Sequence, residues 1–298
     1  MAPEVFNPRS DATLDLLFAS NERLSAPLVE FLGKTRVRAF ETFSPLQAMV
    51  TVAIGKGVKT HGAILRLCRS GYDVEALVLL RTLFELAVDT RYVVRDSTGE
   101  WAQRWIDYDV VLRKTLSDVI STDPYFEHHR ASAAGEDTAR GEIAVEARRA
   151  QEKWHFWGRD RDGELSKPID HWSGKPRRQV AQAVGWESHY NTIYRLASNA
   201  SHPNFRAATD YVVVQDDCSI RVAVGPSTRY MDRTLMSAHA YLASIATNWA
   251  KVMDPPEHVR AAVEEAKQDF NSTVERILGP ERVARAQRAG ERQGDVPD

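Results

Sequence analysis

Cysteine is scarce. Only two occur in 298 residues, Cys68 and Cys218, far apart in the chain. That excludes a disulfide scaffold, a zinc ribbon and a Cys-x-x-Cys redox pair, and it fits a reducing compartment. Long apolar runs are missing too. The longest stretch without a charge, Thr234 to Ala250, is broken by Ser237, His239, Thr247 and Asn248, whereas a membrane span needs about 20 mainly apolar residues. The opening MAPEVFNPRS has neither the basic head nor the apolar core of a secretory signal. A cytoplasmic protein without membrane contact is therefore expected. Nor does one sign of charge dominate. Lys and Arg number 39 against 41 Asp and Glu, a net charge of −2, so only a local basic face would attract nucleic acid.

Several catalytic signatures are absent as well. The chain has no Gly-x-Gly-x-x-Gly, no phosphate-binding loop ending in Gly-Lys-Ser/Thr, no His-Glu-x-x-His and no Gly-x-Ser-x-Gly. It also lacks the paired Glu-x-x-His motifs of di-iron bundles. No cofactor and no metal are expected. His128 and His129 are adjacent, and neighbouring helical residues point apart, which makes them poor joint ligands. His155, His171 and His189 fall in Trp-rich segments and read as interfacial histidines with satisfied hydrogen bonds.

What is present is a 43% hydrophobic, 27% charged composition, typical of a folded globular chain, with helical periodicity through most of its length. Asp11 to Leu32 reads as an opening helix pair on Leu14, Leu16, Leu17, Leu24 and Leu28. Ser44-Pro45 marks a helix start, and Leu46 to Leu67 follows, with Gly55 and Gly57 as weak points or close helix contacts. Gly71 ends that helix and Asp73 is placed to cap the next. Val74 to Val94 carries an apolar stripe wide enough for a central, largely buried helix. Within it Arg81 and Glu85 stand four residues apart on one face, and charges in such a helix need partners. Residues 96–188, with tryptophans at 101, 105, 154, 157, 172 and 186 among charges, read as peripheral helices and loops. Tyr211–Gln215 and Ser219–Val224 flank Asp216-Asp217-Cys218 as the one credible β-hairpin. Met231 to Val252 and Val259 to Ile277 are the last helices, and the charged tail from Gly279 is expected to fray. The fold class is mainly α, a helical bundle with one small hairpin near 211–224. It forms a single domain over 1–278, with its core in 45–95 and 189–278 and a tail at 279–298.

One constellation stands out: Tyr194, Arg195, Ser198, Asn199, Ser201, His202 and Pro203. Arg195 and His202 are seven residues apart, about two helical turns, so they project from nearly one face. A guanidinium beside an imidazole suits RNA cleavage by the internal 2′-hydroxyl. Arginine would neutralise charge on the phosphate, and histidine would move a proton at the attacking or leaving oxygen. Ser198, Asn199 and Ser201 would leave that face open. In the other reading, Arg81, Glu85, Arg195 and His202 form a buried polar network that holds the bundle together, with His202 at a helix C-terminus where the dipole favours cations.

Arg195, six intervening residues and His202 resemble the motif of the HEPN superfamily of helical domains, found in toxins, anti-phage ribonucleases and RNA-processing proteins. The segment Leu80-Arg81-Thr-Leu-Phe84-Glu85 followed by Tyr194 to Pro203 is also similar to a bacterial family of unknown function, domain of unknown function 5677, over about residues 45–250. The resemblance implies Arg195 as the phosphate-stabilising group and His202 as acid/base. It assigns Arg81 and Glu85 a structural or site-orienting role. It further implies RNA as ligand, a homodimer with two motifs facing one cleft, and a regulatory protein partner. One position departs from the motif, which has a polar residue directly after the arginine where this chain has Leu196.

Overall fold

The computed structural model describes residues 12–35, 43–123, 125, 136–159, 165–201 and 210–279. In chain order the elements are α1 (Ala12–Lys34), α2 (Pro45–Arg69), α3 (Asp73–Val93), α4 (Glu100–Asp107), α5 (Asp109–Thr122), α6 (Glu136–Trp154), β1 (Trp157–Arg159), β2 (Leu165–Pro168) and α7 (Arg177–Ala183). A helical turn, Glu187–His189, and a π-helical turn, Tyr190–Tyr194, then lead into α8 (Arg195–Ser201). Strands β3 (Val212–Val214) and β4 (Ile220–Val222) follow, and α9 (Met231–Met253) and α10 (Glu257–Leu278) close the order. The protein is mainly helical, as its periodicity implies.

Local signals explain most of the helix starts and stops. The Ser44 side chain accepts from the Gln47 N–H at 3.2 Å, and the Gln47 side chain accepts from the Ser44 N–H at 3.0 Å, a reciprocal capping box with Pro45 just inside α2. The chain leaves α2 through Gly71 at φ 80°, a conformation glycine adopts without strain. α1 is one helix, not the pair its sequence suggests. Pro27 lies inside it and offers no N–H to the preceding turn, but Leu24 and Leu28 beside it are fully buried, and that packing outweighs the missing bond. Asp73 does not cap its own helix. Its carboxylate accepts the Tyr230 N–H at 2.6 Å, so it serves the start of α9 instead.

α2, α3 and α9 pack against one another, and α1 lies on α9 and α10. Their shared interior includes Leu17, Met49, Ile64, Leu77, Leu80, Leu83, Phe84 and Tyr241, all nearly inaccessible. The 96–188 region is less peripheral than its composition implies. Trp172 is buried in that main core, and Trp101, Trp105 and Trp186 pack against it, while Val110, Val111, Ala147, Ala150, Phe156 and Trp157 form a second cluster. The expected hairpin forms as β3–β4, with Val212 opposite Val222 and Val214 opposite Ile220. A second antiparallel pair, β1–β2, is a correction to the single-hairpin expectation. Its strands are too short and polar to show periodicity. The segments holding His128 and His129 and the tail beyond Gly279 lie outside the described residues.

Gly57 permits the close approach of α2 and α9. A Cβ there would meet Ile245 Cδ1 at 3.2 Å, whereas one at Gly55 would meet nothing within 4 Å. Two histidines are buried nearby. Asn21 donates to the Leu17 and Leu235 carbonyls at 2.7 and 3.2 Å, and its Oδ1 faces His61 Nε2 at 2.8 Å, so that nitrogen carries the proton. His239 stacks on Phe270 at 3.8 Å, and its two ring nitrogens have no hydrogen-bond partner among the described residues. Burial lowers His61 to about 4. Burial, with His61 and Arg23 nearby, lowers His239 to about 3.

Two outcomes follow from this packing. Gly57→Val is expected to lower stability by about 1–3 kcal/mol, the cost of overpacking a filled site, measured by urea unfolding. The buried histidines stay neutral in the folded chain while their unfolded counterparts titrate near pH 6.5. Their contribution is complete above that value and is lost as pH falls toward the folded values, because the unfolded chain then binds protons the native state refuses. The melting temperature is expected to drop between about pH 7 and about pH 4, and to drop less steeply in His239→Phe.

Candidate functional site

Three charged residues stand at four-residue intervals on α3: Arg81, Glu85 and Asp89. Residues so spaced share a helix face, and here the face meets α7, α8 and the loop before α7. Arg81 Nε donates to Glu85 Oε1 at 3.2 Å. The same guanidinium reaches α8, donating to Ser201 Oγ at 3.1 Å and Ser198 Oγ at 3.4 Å. Ser201 Oγ in turn donates to the Ser198 carbonyl at 2.8 Å. From the π-helical turn, the Tyr194 hydroxyl donates to Glu85 Oε1 at 3.0 Å, and the Arg81 guanidinium lies 5.1 Å from the Tyr194 ring centre.

Arg177 bridges the two carboxylates. One of its terminal nitrogens is 2.5 Å from Asp89 Oδ1 and the other is 3.9 Å from Glu85 Oε2. Asp89 also receives His171 Nε2 at 3.2 Å. The Ser173 N–H donates to His171 Nδ1 at 3.3 Å, so Nε2 holds the ring proton and points it at the carboxylate. The charges are not equally buried. The side chains of Arg81 and Glu85 keep 29% and 30% of their surface, less sunken than the sequence implies, while Asp89 and His171 keep 11% and 10%.

Electrostatics follow the same gradient. Burial alone would raise the Asp89 carboxyl, but Arg177 and His171 together outweigh it and hold the group below the ordinary carboxylate range. Burial works against the charge on Arg81, and Tyr194 with Glu85 outweighs it and raises the group. Burial, reinforced by the Glu85 charge, raises the Tyr194 phenol, which keeps it a donor.

Of the residues singled out in the sequence, Arg81, Glu85, Tyr194, Ser198 and Ser201 are brought together, with Asn199 half-buried on the same stretch of α8. Arg195 opens α8, is exposed, and is not among the described partners of Glu85. His202 lies outside the described residues. Asp89, Arg177 and His171 complete the network without having been marked as site residues. Asp89 was within reach of the argument, since it repeats the spacing from Arg81 to Glu85 once more. Arg177 and the His171–Asp89 pairing carry no local signal, since their partners are 88 and 82 residues away. Among the described residues no cluster of three or more His, Cys, Asp or Glu could hold a metal ion, and no helix is long and apolar enough to cross a membrane.

The fold and site define a helical protein whose central helix carries a row of matched charges facing a short, π-preceded helix. The chain belongs to DUF5677, a family of unknown function, which matches residues 47–219. That span runs from the first turn of α2 to the loop before β4 and takes in every member of the network. No curated protein and no solved structure matches the chain.

Removing one partner of a buried charge pair costs about 3–5 kcal/mol because the other is left uncompensated, whereas exposed pairs contribute about 0–1 kcal/mol. Asp89→Ala is therefore expected to cost several times more stability than Glu85→Ala, measured by denaturant unfolding of both variants.

Proposed function

We propose that the face of α8 acts on RNA, as a metal-independent endoribonuclease of toxin or phage-defence type with a HEPN-like motif at Arg195 and His202. One observation carries this reading. The network consumes Arg81, which takes up Glu85, Ser198 and Ser201, and leaves Arg195 exposed at the start of the same helix. A cation outside the structural pairing among the described residues is available to a phosphodiester. In the proposed reaction the 2′-hydroxyl loses a proton to His202 and its oxygen bonds to phosphorus. The bond from phosphorus to the 5′-oxygen breaks, and that oxygen takes up a proton. The products are a 2′,3′-cyclic phosphate and a 5′-hydroxyl, and Arg195 stabilises the charge that builds on the phosphate. Arg81 and Glu85 are positioning residues that hold Tyr194 and α8. A homodimer would set two such motifs on one cleft, and a regulatory protein partner would restrain them.

A second reading is a non-catalytic sensor or partner-binding scaffold. It is favoured by the enclosed half of the network, Asp89 with Arg177 and His171, which joins three segments of chain and leaves little of those side chains to solvent.

The test is incubation of the full chain with total RNA and tRNA in EDTA, beside Arg195→Ala and His202→Ala. Cleavage by the unaltered protein alone, leaving cyclic phosphate ends, is expected. The His202→Ala rate is expected to fall by about 10²–10⁴, the usual contribution of a general acid or base, at an unchanged melting temperature. Intact RNA in every sample would move the assignment to the scaffold.

A further inference from the structure

On another side of α3 lies a cleft of about 780 Å³, walled by the end of α3, the turn after α7, and α9 and α10. Arg91, Arg95, Lys251 and Lys267 line it, and no Asp or Glu is among its described lining residues. Arg91 Nε donates to the Val184 carbonyl at 3.0 Å, and Arg95 donates to the carbonyl of Ala183. These neutral partners fix both guanidiniums and leave their charge in place. Each guanidinium has five N–H donors, so most remain unspent. Lys267 is shared with Glu264 outside the cleft at 2.7 Å.

The interior of the cleft has its own unmet polar groups. His239, 1% exposed, lines it with neither ring nitrogen partnered among the described residues, and the buried Ser244 hydroxyl also lacks a partner there. A buried polar atom without a partner is costly and asks for an explanation. Thr247, Asn248 and Asn271 add further polar groups, and the rest of the wall is built of small, apolar or aromatic residues, with Val184, Phe270 and Trp186 among them. Burial, and after it the neighbouring Arg95, hold the Arg91 guanidinium below its ordinary value.

We infer that this cleft binds an organic phosphate monoester with a planar apolar body, of roughly mononucleotide size. Two guanidiniums held by neutral carbonyls, with Lys251 at the rim and Lys267 shared with Glu264, match a group carrying about −1.5 to −2 charges better than a single carboxylate. The volume is that of a small-molecule site, where apolar walls bury the ligand body and a few polar groups orient it. His239 and Ser244 supply those groups on the inner wall. The inference does not depend on α8 or on RNA cleavage.

Calorimetric titration of the full chain with phenyl phosphate, adenosine 5′-monophosphate, inorganic phosphate and benzoate tests it. One phenyl phosphate or nucleotide per chain is expected, bound more tightly than inorganic phosphate or benzoate. Since Arg91 also holds the α7 terminus, the variant of choice is Lys251→Gln at the exposed rim, with its fold verified by circular dichroism. A roughly tenfold loss of affinity is expected there, about 1.4 kcal/mol, and none in Arg195→Ala. Four results would each overturn the inference: no binding of either organic phosphate, benzoate binding as tightly, inorganic phosphate binding as tightly, or loss in Arg195→Ala in place of Lys251→Gln.

Discussion

A helix that buries most of its surface tolerates charge only where another segment comes to meet it. α3 carries Arg81, Glu85 and Asp89 in a row beside the buried Leu77, Leu80, Phe84 and Val88, and the demand for partners dictates what packs there. Arg177 must sit where it reaches both carboxylates, which fixes α7. His171 must face Asp89, which fixes the loop before α7. Arg81 must reach Ser198 and Ser201, which fixes α8. The short segments on this side of the bundle also bury Trp172, Val180, Ala181, Val184 and Ala197 in the main core, and charge matching adds the pairing that aligns them with the row on α3.

The opposite side follows another rule. There α1, α2, α9 and α10 close on one another by shape, and the close passage at Gly57 leaves no space for a side chain branch. Some polar groups buried in that layer are matched across helices, as Asn21 shows by serving His61 and two carbonyls at once. Among the described residues the exceptions are His61 Nδ1, the Thr234 and Ser244 hydroxyls and His239, and Ser244 and His239 lie where the layer opens into the cationic cleft. The two halves therefore differ in what disturbs them. Acid acts on the buried histidines of the packed half through desolvation, and on Asp89 of the charged half by discharging its pair with Arg177.

The legible parts of the fold were those set by neighbours in sequence. The capping box at Ser44, the break at Gly71, the stripe of α3 and the β3–β4 pair each follow from residues within a few positions of one another. Arg81 with Glu85 was legible for the same reason. What stayed hidden was decided across the chain. Asp73 has the residue type and place of a helix cap, yet its carboxylate is drawn to Tyr230, 157 residues on. Pro27 would end a helix by local rules, and burial on both sides keeps α1 whole. Arg177 looks like an ordinary surface residue, and His171 reads as an interfacial histidine without a named partner, until Asp89 is placed against them. Nothing local announces the cleft, because Arg91 and Arg95 at the end of α3 meet Lys251 and Lys267 from two helices far along the chain.

The π-helical turn between Tyr190 and Tyr194 has a consequence for how this chain can vary. A π turn closes its hydrogen bonds five residues apart where an α turn closes them four apart, so it stores one residue of surplus length. Loss of a single residue there would convert the turn to ordinary helix and leave His189 against Tyr241 and Arg195 at the head of α8. An insertion or deletion of the same size within α3 would rotate the charged row away from all its partners. Length is thus free to change in one place beside the site and fixed in the other, and that contrast, more than the identity of any residue, marks which helix is the frame and which is the adjustable part.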